Sequence, residues 1–185
     1  MYILDWEEFI KKPISKASAV TIGVFDGVHR GHQLLIGKIK SKGLFSLVVS
    51  FKQHPRRLLR PEQEFRDIIS LEEKIAILEE YRIDAALLID FSLDFGKIKG
   101  KDFIKILTKN AGMRYLAIGK DFKCGYKGVF GASQIQAWCH EIGIECEIVE
   151  PVADSGVPVS SSRIRGALAS GDRETAERLL GRPLR

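Results

Sequence analysis

The sequence of 185 residues lacks the features that would place it outside the ordinary globular classes. It has only three cysteines, Cys124, Cys139 and Cys146, an odd number without the spacing of a metal site. This favours reduced thiols over disulfides or zinc ligands. No apolar run approaches the roughly 20 residues that a membrane-spanning helix requires. Internal repeats, low-complexity segments and linkers are also missing, which predicts a single domain over residues 1–185.

Basic residues are absent from the first ten positions and form no long block elsewhere. A secretory signal peptide begins with positive charge, whereas the only charged side chains of residues 1–10 are acidic: Asp5, Glu7 and Glu8. We therefore expect a cytoplasmic protein without a membrane partner. The net charge is +5, and the nearest approach to a basic block is Arg56, Arg57 and Arg60. This distribution favours a small anionic ligand, and we do not expect a nucleic-acid partner.

What the chain does contain is a regular alternation of apolar, β-branched runs with helical patterns. Strands are predicted at residues 19–24, 44–51, 85–90, 115–118 and 145–149. Helices are predicted at residues 31–42, 71–81, 101–110 and 133–141, with two short ones after residue 160 and no strand after residue 151. The alternation predicts an α/β fold: a doubly wound, Rossmann-like, five-stranded parallel sheet with helices on both faces. Ligands of such sheets bind at the carboxyl ends of the strands.

The first candidate site follows the first predicted strand, at residues 23–33. Gly23, Gly27 and Gly31 allow close approach of a ligand to the backbone, and the helix that begins here offers free N–H groups to a phosphate. His29 and His32 lie three residues apart, so both rings face one side and can donate hydrogen bonds to charge that develops on a phosphate. The alternative is an exposed turn in which one histidine caps the helix. There is no Walker motif, which argues against γ-phosphoryl transfer in that style.

The second candidate site is the run Ser160-Ser161-Ser162 with Arg165 one turn later. Serine hydroxyls at a helix start and a nearby guanidinium form a cradle of hydrogen-bond donors for phosphate. The alternative is an ordinary N-cap with a solvated arginine. The histidine turn favours the phosphate interpretation.

Together the two motifs resemble those of the nucleotidylyltransferase superfamily, His/Thr-x-Gly-His and a serine/threonine-rich run that ends in arginine. The wider run at residues 23–33 resembles one family, the bacterial bifunctional riboflavin kinase/FMN adenylyltransferase, in its FAD synthetase domain. Further similar stretches lie at residues 50–55, 91–95, 102–104, 119–125 and 179–183. The resemblance covers nearly the whole chain.

The resemblance implies a nucleotidylyltransferase-type fold and the reaction ATP + FMN → FAD + pyrophosphate, with Mg²⁺ bridging the ATP phosphates largely through water and substrate oxygens. It implies catalytic roles for His29, His32 and Arg165, with the two histidines at the α-phosphate. The ATP site would comprise Gly23, Phe25, Asp26, Gly27, His29, His32, Asp121, Ser161, Ser162 and Arg165. The flavin site would comprise His54, Pro55, Phe122 and Tyr126. No protein ligand to a metal is assigned, and a loop-capping role for Asp121 remains the alternative.

Three departures from the family pattern stand out. Gln53 replaces a proline, Cys124 replaces an aromatic residue, and Ala132 follows Gly131 where an acidic residue is common. They leave two alternatives open: an adenylyltransferase for another phosphorylated acceptor, and a catalytically weak flavin- or nucleotide-binding protein. Because the sequence ends shortly after Pro183, we expect the riboflavin kinase barrel of the family to be absent from this chain. The sequence does not predict the oligomeric state.

Overall fold

The computed structural model describes residues 1–62 and 65–184. Its strands, in chain order, are β1 (Tyr2–Leu4), β2 (Ser18–Ile22), β3 (Phe45–Phe51), β4 (Ala85–Ile89), β5 (Met113–Gly119), β6 (Lys123–Cys124), β7 (Phe130–Gly131), β8 (Glu145–Val149), β9 (Ala153–Asp154) and β10 (Val157–Pro158). Its helices are α1 (Trp6–Lys11), α2 (Arg30–Lys40), α3 (Pro55–Leu59), α4 (Leu71–Glu80), α5 (Gly100–Asn110), α6 (Ala132–Glu141), α7 (Ser161–Ala169) and α8 (Arg173–Leu180). Within the described ranges, no helix is both long enough and apolar enough to cross a membrane.

Six strands form one parallel sheet in the order β1–β4–β3–β2–β5–β8. The five predicted strands are all present, and β2, β3 and β4 are almost continuously buried. The sheet has one strand more than predicted, because β1 pairs with β4 at the edge. That strand has only three residues and two of them are exposed, so it lacks the buried apolar run that identified the others.

Two further expectations about the elements were incomplete or wrong. The prediction that strands cease after residue 151 is wrong, because β9 and β10 form a short antiparallel hairpin. The loop at residues 119–131 contains a second small hairpin, β6 with β7. The short helices α1 and α3 were not predicted either. The helix after Ser70 is confirmed, with the capping box to Glu73.

Helices cover both faces of the sheet, as predicted for a doubly wound fold. Apolar residues of α1, α5 and α6 pack on one face and those of α2 and α4 on the other. Helices α7 and α8 form a smaller apolar cluster of their own, which Ile68 and Val159 join. This cluster carries the serine run to the carboxyl edge of the sheet, where Ser161 meets the loop after β2.

The strand order reverses between β2 and β5. From β2 the chain runs to β3 and β4 on one side, and from β5 to β8 on the other. Loops that leave neighbouring strands in opposite directions open a crevice at their carboxyl ends, and ligands of this fold bind there. The turn that follows β2 lies at this point.

Candidate functional site at the carboxyl edge of the sheet

The turn after β2 has an unusual backbone. Phe25, Gly27 and Val28 all have positive φ angles, of 54°, 80° and 41°. Residues other than glycine, above all β-branched valine, adopt such angles at a cost of order 1–3 kcal/mol, and such strain is concentrated at functional sites. The strained segment, a short 3-10 helix at Asp26–Val28, delivers the chain to the start of α2. The fold thus maintains a costly conformation next to both histidines.

The two histidine rings are stacked. The ring centroids of His29 and His32 are 3.8 Å apart with an interplanar angle of 20°. His29 is the N-cap residue of α2, but its side chain makes no capping hydrogen bond, which contradicts the helix-capping alternative. Both Nδ1 atoms are buried and have no hydrogen-bond partner among the described residues. Gly31 leaves the space that this arrangement needs, because a Cβ atom there would lie 3.2 Å from the ring of His29.

Burial keeps both imidazoles neutral. It lowers the pKa of His29 to about 4. It also lowers the pKa of His32 well below its usual value, and the neighbouring charge of protonated His29 acts in the same direction. A neutral imidazole carries one N–H donor, so near neutral pH the pair offers hydrogen bonds without a full positive charge.

Asp26 joins the turn to α7. Its carboxylate accepts hydrogen bonds from the backbone N–H of Ile68 and from Arg165, both at 2.8 Å. Its backbone carbonyl accepts a hydrogen bond from the Ser161 hydroxyl at 3.1 Å. Burial raises the pKa of the Asp26 carboxyl, while the N–H of Ile68 and the Arg165 guanidinium oppose that shift. Two motifs that are 135 residues apart in sequence therefore form one cluster of hydrogen-bond donors.

Arg165 also connects to the loop after β3 through a row of three side chains in contact. Its guanidinium lies 4.4 Å from the centroid of the Phe65 ring. The centroid of the His54 ring lies 4.2 Å from the centroid of the same Phe65 ring. The Arg165 Nε donates to the carbonyl of Arg66 at 3.1 Å. His54 itself caps α3, with Nδ1 accepting from the N–H of Arg56.

A largely apolar cavity of about 650 Å³ opens beside the histidine turn. Gly23 and Val24 line it, so the backbone that leads into the turn is also a wall of the cavity. The other walls come from the loops after β3, β4 and β5, with the following side chains: Phe51, Pro55, Leu59, Phe91, Leu93, Phe95, Phe103, Asp121, Phe122, Cys124 and Tyr126. A cavity of this size and lining suits a flat aromatic ligand.

One wall of the cavity depends on two glycines in backbone contact. Gly125 has φ 76°, and a Cβ atom there would lie 2.2 Å from the backbone nitrogen of Gly100. A Cβ atom on Gly100 would in turn lie 2.4 Å from Phe130. The N–H of Tyr126 donates to the carbonyl of Ile98 at 2.9 Å. The β6–β7 hairpin is thereby fixed against the start of α5.

The sequence of the chain matches a known protein family. The family model for FAD synthetase matches residues 11–163, which include the histidine turn and the three serines of the second motif, Ser160-Ser161-Ser162. The chain belongs to the FAD synthetase family. Among curated relatives, the bifunctional riboflavin kinase/FMN adenylyltransferases of Pseudomonas fluorescens and Bacillus subtilis (strain 168) are 33% and 32% identical to it. These matches cover 94% and 99% of this chain but 57% and 59% of the relatives, so the chain spans just over half of their length.

Solved structures share the fold. A crystal structure described as a macrolide-efflux protein from Streptococcus pneumoniae superposes with a TM-score of 0.87 at 26% identity, over 100% of this chain and 63% of that one. A pantoate-beta-alanine ligase from Francisella tularensis superposes with a TM-score of 0.60 at 18% identity, over 98% of this chain and 78% of that one. The second likeness concerns the fold alone.

The predicted site residues of this FAD synthetase family member lie partly around the cavity and partly around the histidine turn. Pro55, Phe122 and Tyr126 line the cavity. His29, His32, Asp26, Ser161 and Arg165 gather around the turn. Ser162, next in the run, is exposed at the start of α7.

The remaining predicted site residues include two in the turn itself, Phe25 and Gly27. Phe25 is fully buried and its ring packs against His32, with centroids 4.8 Å apart, so it supports the histidine from behind and does not line an open ring pocket. Gly27 is buried too, and serves the positive φ of the turn. Asp121, expected on the nucleotide side, lines the apolar cavity. His54, expected to contact flavin, lies against Phe65, with ring centroids 4.2 Å apart and an interplanar angle of 51°; its contact with flavin stays a prediction.

Three residues near the site were not predicted: Phe65, Lys74 and Asp154. The Asp154 carboxylate forms salt bridges with Arg163, Arg178 and Arg30, with N···O distances of 3.2, 3.1 and 3.8 Å. These contacts fix α7 and α8 beside the start of α2. The sequence carried a signal for Lys74, because it stands three residues after Leu71 and four before Leu78, within the apolar stripe of α4. Phe65 lies in a loop and Asp154 in the two-residue strand β9, and neither left a comparable signal.

No group of three His, Cys, Asp or Glu side chains within the described ranges is arranged to hold a metal ion. The carboxylate of Asp26 is engaged by Ile68 and Arg165.

Proposed function

We propose that this FAD synthetase domain transfers the AMP group of ATP to FMN and releases pyrophosphate. One observation carries the proposal: the apolar cavity and the donor-rich histidine turn share the backbone of Gly23 and Val24. A flavin ring in the cavity would extend its phosphate toward this shared edge. A phosphorylated aromatic ligand and a nucleotide phosphate chain can therefore meet there. The names of the relatives in Pseudomonas fluorescens and Bacillus subtilis support the same reaction.

The proposed chemistry needs positioning and charge stabilisation more than a general base. An oxygen of the FMN phosphate attacks the α-phosphorus of ATP, the new P–O bond completes FAD, and the bond to the β-phosphate oxygen breaks. The attacking oxygen is already an anion at neutral pH, so no proton has to be removed. Donors around the α-phosphate and the departing pyrophosphate then lower the barrier.

The residues of the turn and of α7 supply these donors. His29 and His32 would donate from neutral rings to the α-phosphate. Ser161, Ser162 and Arg165 would hold the β- and γ-phosphates, for which Arg165 would share its guanidinium between ATP and Asp26. When bound with ATP, Mg²⁺ would neutralise part of the phosphate charge.

Two alternatives predict different products. An adenylyltransferase for another phosphorylated acceptor would use the same turn but would not need a wide aromatic-lined cavity, so the lining residues Phe91, Phe95 and Phe122 favour FMN. A weak flavin carrier would bind FMN without turnover. Such a carrier would not require the stacked histidines or the Asp26–Arg165 ion pair.

The test is incubation of the chain with Mg-ATP and one acceptor at a time: FMN, nicotinamide mononucleotide, phosphopantetheine or riboflavin. Chromatography and pyrophosphate release report the product. We expect FAD from FMN and no product from riboflavin, because the inferred site offers no base placed for a neutral hydroxyl. His29→Ala should abolish most of the activity, whereas His140→Ala, at an exposed histidine of α6, should keep it. Turnover with another acceptor in preference to FMN would contradict the proposal, and FMN binding without turnover would support the carrier.

A further inference from the structure

A lysine lies buried beneath the point where the cavity and the histidine turn meet. Lys74 of α4 is only 6% exposed. Its Nζ donates to the carbonyl of Val24 at 3.1 Å and to the carbonyl of Phe51 at 3.0 Å. Lysine is almost never buried to this extent without a partner. The partners here are two backbone carbonyls, one beyond the end of β2 and one at the end of β3.

These two carbonyls belong to loops with different roles. Val24 leads into the histidine turn, and it also accepts a hydrogen bond from the Ser50 hydroxyl at 2.9 Å. Phe51 leads into residues 52–55, where His54 and Pro55 lie. Strands β2 and β3 are neighbours in the sheet, but beyond their ends the two loops separate, one toward the phosphate donors and one along the cavity. The ammonium group of Lys74 holds the two loops at the place where they diverge.

Fold stability does not account for this lysine. Burial of a cation is unfavourable unless its partners compensate, and the surrounding stripe of α4 is apolar. An unbranched apolar side chain of similar length would fill the same space. It would avoid the desolvation cost of the charge but would leave two backbone carbonyls without the Lys74 donor, so the net effect on stability is small. The place of the charge, on two carbonyls at the point where the cavity and the histidine turn meet, points to the site instead.

We propose that Lys74 is a positioning residue for adenylyl transfer, which fixes the histidine turn and the wall of the flavin cavity relative to each other. The proposal rests on the proposed function for its kinetic part. Lys74 would not contact the reacting atoms, but loss of its two hydrogen bonds would allow the loops after β2 and β3 to shift independently. A misplacement of about 1 Å between two reactants lowers turnover by about 100-fold.

The test compares Lys74→Met and Lys74→Arg with Lys109→Met, which removes an exposed lysine from the far end of α5. We expect Lys74→Met to fold with a Tm equal to or modestly below that of the wild type, because two carbonyls lose a donor, and to bind FMN within about threefold of the wild type. Its kcat should fall about 10- to 100-fold. Lys74→Arg should recover part of kcat, because a guanidinium keeps the charge and the donors. Lys109→Met should match the wild type in all three measurements.

Hydrogen exchange of the free protein supplies a measurement that does not depend on activity. Residues 23–28 and 52–57 should exchange faster in Lys74→Met than in the wild type, and the exchange of β5 and α5 should not change. An unchanged kcat with unchanged exchange overturns the proposal, and so does failure of Lys74→Met to fold, which would make the lysine structural. If the wild type makes no FAD, the proposed function fails, and the exchange data alone decide whether Lys74 fixes the two loops.

Discussion

Acidification should destabilise this protein through His29. The pKa of His29 is about 4 in the folded protein because the ring is buried, against an ordinary value of 6.5. Between these two values the unfolded chain binds more protons than the folded one, so stability falls as the pH falls. At pH 7 the two states differ little in protonation of this ring. At pH 5 the unfolded ring is almost fully protonated and the folded ring is not, which costs about 2 kcal/mol.

Urea unfolding at pH 7 and pH 5 measures this effect, with His29→Gln as the variant. His32 and other titrating groups also contribute in the wild type, so the informative quantity is the change in unfolding free energy between the two pH values. We expect that change to be about 2 kcal/mol smaller in His29→Gln than in the wild type. His140→Gln, which alters an exposed histidine, should keep the wild-type change.

The same experiment tests the state of the site. If His29→Gln and the wild type lose equal stability between pH 7 and pH 5, the ring of His29 is protonated in the folded protein and the neutral, stacked pair is refuted. If the expected difference is found, ATP should reduce it, because phosphate oxygens near the ring favour the protonated form. Repetition of the titration with ATP present links the stability measurement to the proposed binding site.

Three further substitutions probe separate parts of the site. His32→Ala should lower adenylyl transfer by about 10²- to 10³-fold with an unchanged circular dichroism spectrum, since it removes one donor to the charge at the α-phosphate; unchanged turnover would exclude this role. Arg165→Ala should raise KM for ATP more than KM for FMN in steady-state kinetics, and the reverse pattern would assign Arg165 to the flavin. Gly125→Ala should weaken FMN binding at least about tenfold in a fluorescence titration, because its Cβ atom would collide with Gly100. Gly143→Ala, at φ 74° with no atom within 4 Å of the added Cβ, carries similar backbone strain without the collision and should leave FMN affinity unchanged.

The sheet could be predicted because its strands are buried on both faces. β4 is a continuous apolar run and β3 is an apolar run interrupted only by Ser46 and Ser50, which local pattern alone identifies. β1 and the two hairpins could not be found in this way. They have two or three residues each, and tertiary contacts stabilise them: β1 pairs with β4, and the β6–β7 hairpin rests against Gly100. Short elements of this kind have too few residues to show a period.

The site was predicted where its chemistry is local in sequence. The glycines and histidines of the turn lie within ten residues of one another, and the serine run is a recognisable helix start. Asp26 and Arg165 are 139 residues apart. Their assignment to one site followed from the family resemblance and not from their spacing in the sequence. The contacts of Phe65 with His54 and Arg165 were not predicted, because they require the loop after β3 to fold back over α7.

Of the three residues that depart from the family pattern, only one lines the cavity. Gln53 is exposed and donates to Asp90 at 3.3 Å, and Ala132 is buried at the start of α6, so neither is among the residues that line the cavity. Cys124 does line it. Burial raises the pKa of the Cys124 thiol to about 12, so this side chain is a small neutral group where the family has a ring. Any change in flavin affinity that the departures cause should therefore come from the space that Cys124 leaves in the cavity wall.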